Sequence, residues 1–117
     1  MRYIAMAILS SLLLASVSAR AHSTLDHASP AAGTTVNSSP SQVLLFFTQD
    51  LEPKFSRVEV RNAAGGRVDQ GDAKVRGREM HIGLKALPPG TYSVHWRILS
   101  VDTHRTEGSF RFHVKGK

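Results

Sequence analysis

From residue 91 to residue 100, Tyr92, Val94, Trp96 and Ile98 occupy every second position, with His95 and Arg97 between them. Side chains of an extended chain point alternately to opposite faces, so this pattern predicts a long half-buried strand. Residues 107–115 repeat it, with Phe110, Phe112 and Val114 inward and Arg111 and His113 outward. Val58 and Val60 alternate in the same way between Arg57, Glu59 and Arg61, as do Met80, Ile82 and Leu84 further on. Residues 43–48, Val-Leu-Leu-Phe-Phe-Thr, form an apolar run suited to a buried strand. Breaks fall at Ser29-Pro30-Ala31-Ala32-Gly33, at Gly65-Gly66 and at Leu87-Pro88-Pro89-Gly90. After Gly65-Gly66 the chain is expected to return from Arg67 as a second hairpin arm. No segment sustains a helical period. Short strands between Gly/Pro turns predict an all-β chain, folded as an antiparallel sandwich or barrel.

A chain of 117 residues makes one small domain. Apolar residues are 41% and charged residues 21%, a globular balance that argues against disorder. There is no cysteine. That excludes disulfide scaffolds, thiolate metal sites, iron–sulfur ligation and copper sites built on a Cys sulfur.

Residues 1–21 read as a cleaved secretory signal peptide. Arg2 gives a positive start, residues 4–17 are mostly apolar, and Ala19-Arg20-Ala21 is an A-x-A cleavage signal. The apolar run is short for a membrane span, and no second run is long enough to cross a bilayer. Residues 22–117 are then the exported domain. Losing Arg2 and Arg20 lowers the formal charge from +6 to +4. The remaining Lys and Arg are scattered, with no basic stripe beside stacking aromatics, so nucleic acid is not an expected partner.

Cleavage after Ala21 makes His22 the first residue. An N-terminal histidine offers its α-amine and its imidazole together, a chelate suited to the tetragonal nitrogen coordination of Cu(II). Taken alone, a histidine at this position reads as a coincidence, since any residue can follow a cleavage site. Cleavage after Ala19 would instead leave Arg20-Ala21-His22, which binds Cu(II) with its own backbone amides. A second feature is Asp102-Thr103-His104, between the two strongest strands. In an extended segment, residues i and i+2 share a side, so a carboxylate and an imidazole are presented together. His81, His95 and His113 lie opposite the apolar stripes and read as surface residues. His27, close to His22, is a candidate for an accessory role.

These features together resemble the CopC family of periplasmic copper-binding proteins. The resemblance rests on the signal peptide ending before His22, on Ser29-Pro30-Ala31-Ala32-Gly33 and on Phe47-Thr48-Gln49-Asp50-Leu51. It rests most on Pro89-Gly90-Thr91-Tyr92-Ser93-Val94-His95-Trp96-Arg97, then Ser100-Val101-Asp102-Thr103-His104 and Gly108-Ser109-Phe110. It implies a Greek-key β-sandwich resembling a cupredoxin. It also implies one Cu(II) per chain, held by His22 through amine and ring and by Asp102 and His104. Where some relatives place a glutamate near the site, this chain has Gln49, with Asp50 and Glu52 nearby. A Cu(I) site of the methionine-rich kind is not expected, because Met80 alone remains after cleavage and it lies on an apolar strand face.

The resemblance further implies a periplasmic, non-enzymatic role in copper sequestration, delivery or resistance. It implies a monomer and an inner-membrane copper transport protein as partner. Two other readings stay open. One is a small copper oxidoreductase with an N-terminal histidine brace, although Tyr92 and Trp96 point to the core rather than to a substrate. The other is a metal-free interaction sandwich.

Overall fold

The computed structural model describes residues 25–116. Eight strands run in chain order: β1 Leu25–Ser29, β2 Thr35–Val36, β3 Gln42–Phe47, β4 Arg57–Arg61, β5 Lys74–Arg76, β6 Glu79–Gly83, β7 Gly90–Leu99 and β8 Arg105–Val114. The one helical element among the described residues is a 3₁₀ turn at Pro53–Phe55. The strands form two four-stranded sheets, in the orders β1-β3-β6-β5 and β2-β8-β7-β4. The signal-peptide segment and His22 lie outside the described residues.

The alternating segments fold as their period demands. On β7, Tyr92, Val94, Trp96 and Ile98 are all buried. Val58 and Val60 of β4 and Phe112 and Val114 of β8 join them from the same sheet. Val43, Leu45 and Phe47 of β3, and Met80 and Ile82 of β6, supply the opposing face. The sheets interlock where the Phe47 and Trp96 rings meet edge to face, their centroids 5.2 Å apart. Burying each such large side chain is worth about 1.5–3 kcal/mol, which lets a domain this small fold without disulfides.

Several local expectations change. The run at 43–48 is not buried on both faces: Leu44 and Phe46 are half-buried on the outer side, because among the described residues no second sheet covers that face as one covers the inner face. Phe46 is capped there by the His27 ring, stacked at 4.3 Å. Phe110 is likewise only half-buried. The sheets are not wholly antiparallel, since β2 pairs with β8 in parallel. That short strand, with β1 and β5, lacks a two-residue apolar period long enough to read in sequence.

The segment after Gly65-Gly66 is no regular hairpin arm. Gly65 adopts φ +90°, a left-handed conformation that glycine takes without steric cost, and Asn62 closes the turn by accepting the Ala64 and Gly66 N–H groups. The chain then leaves β4 and makes single bridges, Arg61 to Arg67 and Asp69 to Leu84. Val68 N–H donates to Val60 and Gln70 N–H to Gly83, so this stretch stitches one sheet to the other. Asp69 anchors it: its buried carboxylate accepts the Val60 and Gly71 N–H groups and a two-pronged contact from Arg67.

Candidate metal centre

The connection from β7 to β8 is a tight turn over residues 100–104. Ser100 N–H donates to the His104 carbonyl at 3.0 Å, and Thr103 N–H donates to the Ser100 carbonyl at 2.8 Å. Thr103 sits at φ +71°, the left-handed region that a β-branched residue rarely enters. Asp102 and His104 therefore meet because the backbone folds back, not because the segment is extended as the i, i+2 argument assumed. His104 Nδ1 lies 3.2 Å from Asp102 Oδ1.

Asp102 is held from several sides. The Ser100 hydroxyl donates to Oδ1, and the His104 N–H approaches the same oxygen at 3.4 Å. In the amide orientation that satisfies its surroundings, Gln49 donates to Oδ1 at 3.1 Å and Oδ2 at 2.8 Å. The Ser100 hydroxyl, joined by the His104 contacts, holds the Asp102 carboxyl below its ordinary pKa against the opposing effect of desolvation. The turn presents an ionised carboxylate beside an imidazole that contacts it through Nδ1; the His104 side chain is 80% exposed.

Gln49 reaches Asp102 because the two sheets are tied together at this end. Leu51 bridges to Ser100, Val101 N–H donates to the Asp50 carbonyl at 3.0 Å, and Glu52 N–H donates to Leu99 at 2.8 Å. Of the three polar candidates near residue 50, Gln49 is the one the fold brings to the turn. Asp50 instead approaches Arg78 at 3.8 Å. The Ser100 hydroxyl that holds Asp102 is barely announced by the sequence. Its only signal is a small hydroxyl residue two positions before an aspartate at a turn.

The other histidines lie elsewhere. His27 Nδ1 pairs with Asp26 at 2.8 Å, His95 approaches Glu107 at 3.4 Å, and His113 bonds the Thr91 hydroxyl at 2.9 Å. His81 is half-buried on the outer face of the first sheet, opposite Leu44. Met80 is fully buried in the core. Among the described residues, no group of three His, Cys, Asp or Glu side chains could hold a metal ion. The described residues therefore bring two of the three expected ligands, Asp102 and His104, to one place.

The fold is that of a small all-β sandwich carrying an Asp-x-His turn braced from the opposite sheet. The CopC domain family matches residues 25–115, and the chain belongs to that family. It is 34% identical to protein YobA of Escherichia coli K12, over 98% of this chain and 94% of that protein. It is 37% identical to copper resistance protein C of Xanthomonas campestris pv. juglandis, over 87% of each. The fold matches the crystal structure of CopC from Methylosinus trichosporium OB3b with a TM-score of 0.75 and 36% identity, covering 80% of this chain and 94% of that one.

Proposed function

We propose that the protein is an exported, periplasmic Cu(II)-binding protein for copper sequestration, delivery or resistance. One Cu(II) is held by the amine and ring of His22, by His104 and by Asp102. The observation that carries this reading is the register of β1. Leu25 pairs with Phe47 in antiparallel register, and Gln49, two residues on, touches Asp102. β1 is antiparallel to β3, so its first residue, Leu25, sits at the end of β3 that leads on to Gln49. His22 is three residues from Leu25, a span of at most about 10 Å when extended. Membership of a family with relatives named for copper resistance supports copper as the metal.

The donor set suits Cu(II) chemically. It combines imidazole and amine nitrogens with a carboxylate oxygen and has no soft sulfur. The turn fixes His104 through its backbone and through Asp102, so that side of the site loses little entropy on binding. The activity proposed is binding, not turnover: Tyr92 and Trp96 are 3% and 4% exposed and offer no platform to a substrate. The imidazoles and the α-amine must be unprotonated to bind. Affinity therefore falls as pH drops. Handing copper to an inner-membrane copper transport protein, as a monomer, completes the proposal.

The test is a Cu(II) titration of the processed protein with electron paramagnetic resonance, beside His104→Ala and a form extended by one N-terminal residue. One tight tetragonal site, lost or altered in both variants, is the expected result. Absence of tight binding overturns the copper assignment. Binding indifferent to His104 would move the site to the N-terminus alone. Mass spectrometry of the secreted N-terminus checks that His22 comes first.

A further inference from the structure

The outer face of the second sheet holds a basic cluster that the metal turn does not use. In the antiparallel register of β4 and β7, Arg57 stands directly opposite Arg97. Like charges directly opposite on one sheet face repel and destabilise the pair. Arg97 is relieved on its far side, where β8 brings Glu107 to 3.6 Å, but the same carboxylate oxygen also serves His95 at 3.4 Å. Arg57 has no carboxylate partner among the described residues, and neither does Lys54, in the 3₁₀ turn that leads into β4.

These three cations line one open depression of about 360 Å³, along with Arg67, Glu59 and Asp72. Both carboxylates there are already engaged. Glu59 pairs with Arg61 at 2.8 Å and Arg67 at 3.4 Å, and Asp72 pairs with Lys74 at 3.6 Å. Arg67 is committed to Asp69. Two opposed guanidiniums and an ammonium are left facing the same space with less than one carboxylate between them.

We propose that this depression is a binding site for a phosphate-class oxyanion, bridged between the guanidiniums of Arg57 and Arg97 with Lys54 as a third cation. A guanidinium offers a planar fork of donors that matches two oxygens of a phosphate, and two such forks engage one tetrahedral anion from two sides. The anion removes the repulsion that the strand register builds in. The same chemistry is offered by free phosphate and by a phospholipid headgroup.

The experiment titrates inorganic phosphate into the purified protein at constant ionic strength, followed by ¹H–¹⁵N NMR that includes the arginine side-chain signals. Saturable shifts confined to Arg57, Arg97 and Lys54 are expected, with affinity falling about tenfold in Arg57→Gln and in Arg97→Gln. Arg76→Gln, on β5 of the other sheet, should bind like the wild type. Sedimentation with vesicles of phosphatidylcholine containing phosphatidylglycerol then separates the sources. Binding that Arg57→Gln abolishes identifies the lipid headgroup, and phosphate shifts without vesicle binding identify the free anion. Shifts spread evenly over all Lys and Arg, or unaltered in Arg57→Gln, overturn the proposal. So does the absence of both phosphate shifts and vesicle binding.

Discussion

Gln49, from the loop after β3, donates to both carboxylate oxygens of Asp102 at 3.1 and 2.8 Å and so joins one sheet to the β7–β8 turn of the other. The amide adds a hold from the opposite sheet to those that Ser100 and His104 already place on this carboxylate. Partners of this kind orient a ligand, and losing one typically costs 10–100-fold in metal affinity. Gln49→Ala should therefore weaken Cu(II) binding by roughly tenfold or more while leaving the thermal midpoint of the metal-free protein nearly unchanged. Competition against a chelator of known affinity measures the first and a melting curve the second. An unchanged affinity would show that Asp102 needs no support from the opposite sheet.

The Ser100 hydroxyl is the main reason that the Asp102 carboxyl titrates below its ordinary value of 3.8. The side chain therefore stays ionised, and the hydrogen bonds of the turn persist, until pH falls through that lowered value. Carboxyl-detected NMR of the metal-free protein should find the Asp102 midpoint below 3.8, and Ser100→Ala should raise it. If the midpoint stayed put in Ser100→Ala, the cause would lie with His104.

Asp69 ties β4 to the segment crossing between the sheets. Burial pushes its carboxyl up, but Arg67 and the N–H groups of Val60 and Gly71 outweigh that effect, and its pKa is lowered from 3.8. A lowered folded value means that the stabilisation is fully present above the unfolded pKa, about 3.9, and is lost as pH falls through the folded one. Asp69→Ala strands two backbone donors and should cost about 2–4 kcal/mol near neutral pH. In urea unfolding, the gap between wild type and Asp69→Asn should narrow as pH is lowered below 3.8. A gap independent of pH would mean that the carboxylate charge contributes nothing.

Gly108 pairs with Trp96 across β7 and β8, and a Cβ there would lie 2.6 Å from the indole Cζ2. The ring is walled in by Phe47 and cannot retreat without disturbing the core. Gly108→Ala should cost about 1–3 kcal/mol through overpacking and shift the emission of the single tryptophan. Wild-type fluorescence with unchanged stability would refute this account of the glycine.

The sequence by itself determined the long strands and which residues they bury. Alternation along one strand is a local property, set by the pleat, so Tyr92, Val94, Trp96 and Ile98 could be assigned to the core without knowing what they pack against. The spacing of Asp102 and His104 was legible too, as was family membership, because both rest on residues read in order. Tertiary structure decided the rest. Strands of two or three residues such as β2 and β5 exist only because a neighbour offers its edge. The approach of Asp102 to His104 depends on a turn with Thr103 in a left-handed conformation, which the sequence does not announce. The contact of Gln49 with Asp102 and the opposition of Arg57 to Arg97 join residues far apart in the chain. Each follows from strand register and from how the sheets close over each other, and a shift of one residue would point those side chains the other way.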